Sequence, residues 1–127
     1  MEPESSSLVL VVDDDPAVRD SVCVVLESAG YRTLTAENGK SAIAQLSARP
    51  DLVLTDVNMA GSSGLEVINA IRFGGDNIPV IAMSGWQPAG GYDPLEIARK
   101  LGAVQALHKD KMDDLLSVIE QVLRPPR

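Results

Sequence analysis

The chain has little of three things that would point to particular protein classes. It has one cysteine, Cys23, in 127 residues, so no disulfide can form within it. Aromatic residues make up only 3% of the sequence, so the core must be built from aliphatic side chains. No apolar run approaches the roughly 20 residues that span a bilayer, and the acidic start "MEPESSS" has no secretory pattern. These absences argue against a disulfide-stapled or membrane-embedded protein and predict a cytoplasmic location.

Basic residues are also scarce. Lysine and arginine number 11 against 18 aspartates and glutamates, which gives a formal net charge of −7. Such a charge argues against direct binding to nucleic acid or to an anionic membrane. Hydrophobic residues at 45% and charged residues at 23% are typical of one globular domain of this length. We expect a flexible tail over 1–7, the domain over 8–123, and a tail or linker stub over 124–127.

Short apolar runs alternate with helical patterns along the chain. The strand-like segments are 8–12, 31–36, 52–56, 78–85 and 104–109. The second is the most polar, so we place it at a sheet edge. Asp15 before Pro16 is a helix N-cap signal, and the pair Asp93-Pro94 repeats it ahead of a short helix over 94–101. The alternation predicts an α/β fold with a parallel sheet covered by helices on both faces.

Polar residues stand where the predicted strands end. The first strand is followed by Asp13 and Asp14, the third ends in Asp56, the fourth in Ser84 and the fifth in Lys109. The carboxyl ends of parallel strands meet at one edge of the sheet, where open α/β folds bind their ligands. We therefore expect these five side chains to lie together.

This set of side chains has a coherent chemistry. Clustered carboxylates repel one another unless a cation neutralises them, and all-oxygen ligands suit Mg²⁺. A lysine and a hydroxyl opposite the metal would suit phosphoryl oxygens. Phosphoryl transfer depends mostly on positioning and charge stabilisation, and one aspartate could act as the nucleophile.

Four motifs carry a family resemblance: "VVDDDP", "LVLTDVNM", "VIAMSG" and "GAVQALHK". Together they resemble the receiver domain of two-component response regulators, over roughly residues 8–123. The resemblance implies a flavodoxin-like, doubly wound sheet of five parallel strands in the order 2-1-3-4-5.

The resemblance also implies a role for each site residue. Asp56 would be the phosphoacceptor. Asp14 would bind Mg²⁺ directly, Asp13 would act mostly through a water ligand, and the backbone carbonyl of Asn58 would complete the protein ligands. The metal set is then Asp13, Asp14, Asp56 and Asn58.

Two further residues would contact the phosphoryl group. Ser84 would hydrogen-bond one of its oxygens, and Lys109 would pair with its charge. The donor would be a histidine kinase or a histidine phosphotransfer protein, and the output would pass to a downstream domain or protein. The resemblance implies a switch that catalyses only its own phosphorylation and dephosphorylation, and it allows two copies to pair through the last two helices and the fifth strand.

The sequence departs from the family pattern at several positions. Ala106 replaces an aromatic residue that many receivers use as a rotamer switch, and Asp110 replaces a proline after the lysine, so we expect a trans peptide bond there. The segment 86–94 is longer than typical, and we expect its reordering to replace the aromatic switch. Trp86 within it is interpreted either as a surface shield or as a gate to the phosphorylation site.

Two rival functions come from other classes. A haloacid-dehalogenase-type aspartyl phosphatase would use Asp13 as its nucleophile, but the chain has no room for a substrate cap. A flavin-binding carrier is compatible with the fold, but acids at the strand ends would repel a flavin phosphate. Outside the site, we expect Asp15 to be a helix cap, Cys23 to be inert packing and His108 to be structural or exposed.

Overall fold

The computed structural model describes residues 7–57, 64–74, 77–85 and 94–123. Its strands are β1 (Leu8–Val12), β2 (Arg32–Ala36), β3 (Leu52–Asp56), β4 (Val80–Ser84) and β5 (Gln105–His108). Its α-helices are α1 (Pro16–Ser28), α2 (Gly39–Ala44), α3 (Gly64–Phe73), α4 (Pro94–Leu101) and α5 (Leu115–Leu123). Two 3₁₀ segments, Gln45–Ala48 and Lys109–Asp114, follow α2 and β5.

The strands form one parallel sheet in the order β2-β1-β3-β4-β5. This confirms both the predicted strand order and the edge position of the second strand. The chain reverses its direction of winding between β1 and β3, which are hydrogen-bonded neighbours. A crevice at the carboxyl ends of these two strands is the expected ligand site of a doubly wound sheet.

Alternate residues of the strands pack into two cores. On one face Leu10 and Val12 pack with side chains of α2, α3 and α4, and on the other Val9 and Val11 pack with α1 and α5. All four of these β1 side chains are fully buried. Burial on both faces explains why the central strands are continuous apolar runs without alternation.

The first helix begins and ends where its sequence signals lie. The Asp15 side chain accepts a 3.0 Å hydrogen bond from the backbone N–H of Ala17, and Pro16 occupies the first turn, where no intrahelical donor is needed. Gly30 follows the helix with a φ of +97°, a conformation that glycine adopts without the clash of a Cβ atom. The hydrogen bond from Ala17 confirms that Asp15 is the N-cap of this helix.

Some details of the prediction were wrong. The fifth strand ends at His108, and Lys109 begins a 3₁₀ segment instead of ending the strand. Met112 therefore lies in the 3₁₀ segment, and α5 begins only at Leu115. Val25 and Ile43 belong to the apolar spacing of α1 and α2 but are 40% and 39% exposed.

Several expectations fall on residues that the structure does not describe. These are the role of Asn58, the side chain of Asp110, the segment 86–93 with Trp86, and the tail residues 1–6 and 124–127, whereas the carbonyl of Ser7 accepts from the N–H of Arg32 at 2.9 Å. In the described part of the chain every peptide bond is trans. None of the helices described there is long and apolar enough to cross a membrane.

Candidate functional site

The site lies at the carboxyl edge of the sheet, where β1 and β3 end side by side. Val12 pairs with Thr55 in the register of these strands, so Asp13 and Asp56 both come one residue later on neighbouring strands. The backbone N–H of Val57 donates to the carbonyl of Met83, which continues the β3–β4 pairing past Asp56. The pairing of β3 with β1 on one side and with β4 on the other thus fixes the backbone position of Asp56.

Three carboxylates converge at this edge. One carboxylate oxygen from each of Asp13, Asp14 and Asp56 lies within 4.8 Å of the other two. Asp13 is 0% exposed and Asp56 is 4% exposed, whereas Asp14 lies at the surface. Buried carboxylates at this spacing are stable as charges only beside cations or hydrogen-bond donors.

Lys109 supplies the first of these cations. Its Nζ atom lies 2.7 Å from Oδ2 of Asp13 and 3.2 Å from Oδ2 of Asp56. Burial alone would lower the pKa of Lys109, but the hydrogen bond to Asp13 and the charge of Asp56 outweigh burial and raise the pKa above its usual value. The ammonium group is therefore charged at neutral pH, and it bridges the two buried aspartates.

Both the backbone and the side chain of Asp13 are held by hydrogen bonds. Its N–H donates to the carbonyl of Ala36 at 3.1 Å, its Oδ1 accepts from the N–H of Asp15 at 3.0 Å, and its carbonyl accepts from Nη1 of Arg19 at 2.8 Å. Three hydrogen bonds, one to β2 and two to the start of α1, therefore fix the orientation of this residue. Its carboxylate has little freedom to turn away from Asp14 and Asp56.

Sequence reasoning missed two of the residues that build the site. Arg19 is the only basic residue of α1, which is the one signal that could have drawn attention to it. Gly85 lies under the aliphatic stem of Lys109, and a Cβ atom at this position would be 3.3 Å from Cδ of the lysine. A side chain there would press on the path by which Lys109 reaches the carboxylates.

Ser84 reaches the same edge of the sheet from β4. The register pairs Asp56 with Met83, so Ser84 lies one residue further along the neighbouring strand. Its side chain is fully buried. The structure therefore brings together the predicted residues Asp13, Asp14, Asp56, Ser84 and Lys109, while Asn58 lies outside the described residues.

The donor set of this edge fits a hard divalent cation. All three acidic ligand candidates offer oxygen atoms, and one of them faces solvent, from which a hydrated ion would enter. Lys109 contacts two of these carboxylates, and a divalent ion would add further positive charge to the group. The candidate metal ligands Asp13, Asp14 and Asp56 therefore fit Mg²⁺, and Lys109 contacts two of them.

A doubly wound parallel sheet with an acidic cluster and a lysine at its switch point defines a class of flavodoxin-like α/β proteins. Within that class, the sequence matches the response regulator receiver domain over residues 9–120. The chain belongs to this family, as the four motifs predicted. Receiver domains are signalling switches of two-component systems, and they bind Mg²⁺ at an aspartate cluster like this one.

Individual relatives agree with this assignment. The chain is 34% identical to the nitrogen assimilation regulatory protein NtrX of Azorhizobium caulinodans over 116 residues, which are 89% of this chain and 25% of that protein. It is 31% identical to the sporulation initiation phosphotransferase F of Bacillus subtilis over 117 residues, 91% of this chain and 92% of that protein. The chain thus spans a quarter of one relative and nearly all of another.

A solved structure supports the fold assignment independently. The receiver domain of NtrX from Brucella abortus superposes with a TM-score of 0.82 at 34% identity, over 93% of this chain and 99% of that one. Receiver folds therefore account for the sheet order. The haloacid-dehalogenase alternative, with Asp13 as nucleophile, is not supported.

Proposed function

We propose that this chain is a phosphorylation-dependent switch that accepts a phosphoryl group on Asp56 with Mg²⁺. The donor is a histidine kinase or a histidine phosphotransfer protein in the cytoplasm, and the output passes to a downstream domain or protein. The observation that carries the proposal is the convergence of three aspartates at one sheet edge with Lys109 between two of them.

Asp56 is the acceptor because of its position among these groups. It is the last residue of β3, is 4% exposed, and contacts the Lys109 ammonium at 3.2 Å. In the reaction an Oδ atom of Asp56 attacks the phosphorus, the bond from phosphorus to the donor's imidazole nitrogen breaks, and that nitrogen keeps the electron pair. The product is an acyl phosphate.

The other residues stabilise the charge that this step moves. Lys109 is close enough to Asp56 to follow the new phosphoryl oxygens, and the buried Ser84 hydroxyl can donate to one of them. Asp13 and Asp14 would hold Mg²⁺ beside the acceptor. The bound ion would supply positive charge to the phosphoryl oxygens during transfer.

The proposal is tested with acetyl phosphate as a small-molecule donor. We expect the protein to gain one phosphoryl group, seen by intact-mass spectrometry, only when Mg²⁺ is present. Asp56→Asn should abolish the gain. Asp20→Asn is the matched control, because Asp20 is an exposed acid on α1 outside the carboxylate group, and it should react like the unmodified chain.

Two results would count against the proposal. One is phosphoryl gain that persists in Asp56→Asn at the original rate. The other is gain that is equally fast in the presence of EDTA. A failure of acetyl phosphate alone would be followed by the same measurement with a phosphorylated histidine phosphotransfer protein as the donor, and no transfer from either donor would refute the proposal.

A further inference from the structure

Arg19 of α1 reaches back to the loop 13–15 that follows β1. Its side chain is half-buried, and its Nη1 donates a 2.8 Å hydrogen bond to the backbone carbonyl of Asp13. Its backbone N–H donates at 3.0 Å to the carbonyl of Asp15. These two carbonyls belong to the residues on either side of Asp14. One residue of the helix therefore holds the chain immediately before and immediately after Asp14.

Every polar group of Asp13 has a hydrogen-bond partner. Its backbone N–H donates to the carbonyl of Ala36, its Oδ1 accepts from the N–H of Asp15, and its Oδ2 accepts from Nζ of Lys109. The fourth polar group, the backbone carbonyl, accepts from the guanidinium of Arg19. Asp13 is therefore a fixed point from which the next residue of the loop is placed.

That next residue, Asp14, is the exposed member of the candidate metal ligands. One of its carboxylate oxygens lies within 4.8 Å of a carboxylate oxygen of Asp13 and of Asp56. An exposed side chain loses rotational freedom when it binds an ion, and a backbone that is already held in place reduces this cost. Groups that orient metal ligands contribute about tenfold to a hundredfold to metal affinity.

We propose that Arg19 is a positioning residue for Mg²⁺, which fixes the loop so that the carboxylate of Asp14 stays directed toward Asp13 and Asp56. The inference rests on the proposed function, because it concerns the same metal site. A carbonyl that accepts from a guanidinium is also a poor ligand for a second cation, so the bond to the carbonyl of Asp13 directs the ion to the carboxylates.

The charge of Arg19 by itself predicts the opposite effect. The guanidinium is positively charged and lies 2.8 Å from the carbonyl of Asp13. A positive charge this close to the acidic cluster repels a divalent cation and lowers its affinity. If Arg19 acted only as a charge, its removal would strengthen Mg²⁺ binding, whereas removal of a positioning residue weakens it. The sign of the change therefore separates the two roles.

Position 19 can be changed without overpacking the molecule. The Arg19 side chain lines a polar crevice of about 210 Å³ together with Thr35, Ala36, Glu37 and Ser41. Side chains no larger than arginine fit in the space that it occupies. The helical hydrogen bond of the backbone N–H at this position survives substitution. A variant therefore loses only the contact between the side chain and the loop.

The test measures Mg²⁺ affinity by ¹H–¹⁵N NMR, following backbone amides of the loop as MgCl₂ is added at constant ionic strength. Arg19→Met removes the donor and the charge, and we expect the dissociation constant to rise about tenfold. Arg19→Lys keeps a cation that can donate to the same carbonyl, and it should bind Mg²⁺ more tightly than Arg19→Met. Lys40→Met removes an exposed cation of α2 and is the matched control, which should stay within about twofold of the unmodified chain.

Two further measurements separate positioning from a purely structural role. Urea denaturation in EDTA reports the stability of each variant. A residue that only supported the fold would lower this stability and leave the Mg²⁺ affinity of the folded protein unchanged. In phosphoryl uptake from acetyl phosphate, the Mg²⁺ concentration for the half-maximal rate should rise about tenfold in Arg19→Met, and the deficit in rate should shrink as Mg²⁺ is raised.

The proposal is overturned if Arg19→Met binds Mg²⁺ as tightly as the unmodified chain or more tightly, or if Arg19→Lys binds no better than Arg19→Met. Either result, with normal Mg²⁺-dependent phosphoryl uptake in the unmodified chain, refutes this inference and leaves the proposed function standing. Absence of Mg²⁺ binding by the unmodified chain would refute the proposed function together with this inference.

Discussion

At the scale of single residues, the site depends on how Lys109 compensates buried acids. Sequence position predicted that Asp13, Asp56 and Lys109 would share one edge, because the apolar pattern placed all three at or next to the ends of predicted strands. It did not predict that the ammonium group would contact both aspartates, since that depends on the path of the lysine stem over Gly85. Close approaches of this kind arise from tertiary packing and leave no periodic signal in the chain.

Replacing Lys109 should increase the electrostatic repulsion between the buried carboxylates and destabilise the fold. In Lys109→Met, Asp13 and Asp56 lose their shared cation, and we expect the free energy of unfolding without Mg²⁺ to fall by about 1–3 kcal/mol. Urea denaturation with EDTA measures this. Lys40→Met, which changes an exposed lysine, is the control. Equal stability of the two variants would show that the bridge is not needed to hold the carboxylates.

The partly buried thiol of Cys23 should react slowly with alkylating reagents. Burial chiefly raises the pKa of its thiol, the neighbouring Thr33 side chain lowers it, and the charges of Glu27 and Asp20 raise it further. A raised pKa leaves less thiolate at any given pH below it. We expect alkylation by iodoacetamide at pH 8.5 to be slower in the folded protein than in urea, and to accelerate toward higher pH. Equal rates in the two states would contradict this environment.

At the scale of helices and strands, the pattern of apolar residues and caps was sufficient for most elements. The bounds of β1, β3 and α4 agree with the sequence prediction because Asp13, Pro50 and the pair Asp93-Pro94 mark them. The end of β5 was misplaced by one residue, because Lys109 directly follows the strand residues in sequence but begins a 3₁₀ segment in the structure. The two conformations differ in their backbone hydrogen bonds, and the order of apolar and polar residues does not predict which of them forms.

The N-cap of α1 should matter for stability more than for chemistry. Asp15→Ala removes the side-chain acceptor for the N–H of Ala17, and we expect a loss of about 1 kcal/mol in the free energy of unfolding. Asp15→Asn keeps an acceptor and should lose less. The backbone bond from residue 15 to Asp13 survives both changes, so phosphoryl uptake should persist. Loss of uptake in Asp15→Asn would instead assign this side chain to the site.

At the scale of the whole molecule, the site concentrates negative charge in a chain whose net charge is already −7. Parallel strands bring the acids together although Asp13 and Asp56 are far apart in sequence. Fold class and site position were therefore predictable from the strand ends. The cavity between α4 and β5 was not, since its shape depends on how α4 packs over Ala106.

Divalent cations should stabilise the folded chain. An ion that binds only the folded state adds RT ln(1 + [ion]/Kd), or about 1.4 kcal/mol at ten times its Kd. We expect Mg²⁺ to raise the midpoint of thermal unfolding, EDTA to reverse the rise, and Asp14→Asn to reduce it. NaCl at equal ionic strength is the control for screening. An identical rise with NaCl would show general screening of the acidic surface instead of a site.

The central claim, that Asp56 accepts the phosphoryl group, is tested most directly by locating the modified residue. The protein is incubated with Mg²⁺ and acetyl phosphate, the acyl phosphate is reduced with borohydride, and the labelled position is read by peptide mass spectrometry. The label is expected on Asp56 and is expected to be absent without Mg²⁺. A label on Asp13 would contradict the account, because it would make the first strand, and not the third, the carrier of the nucleophile.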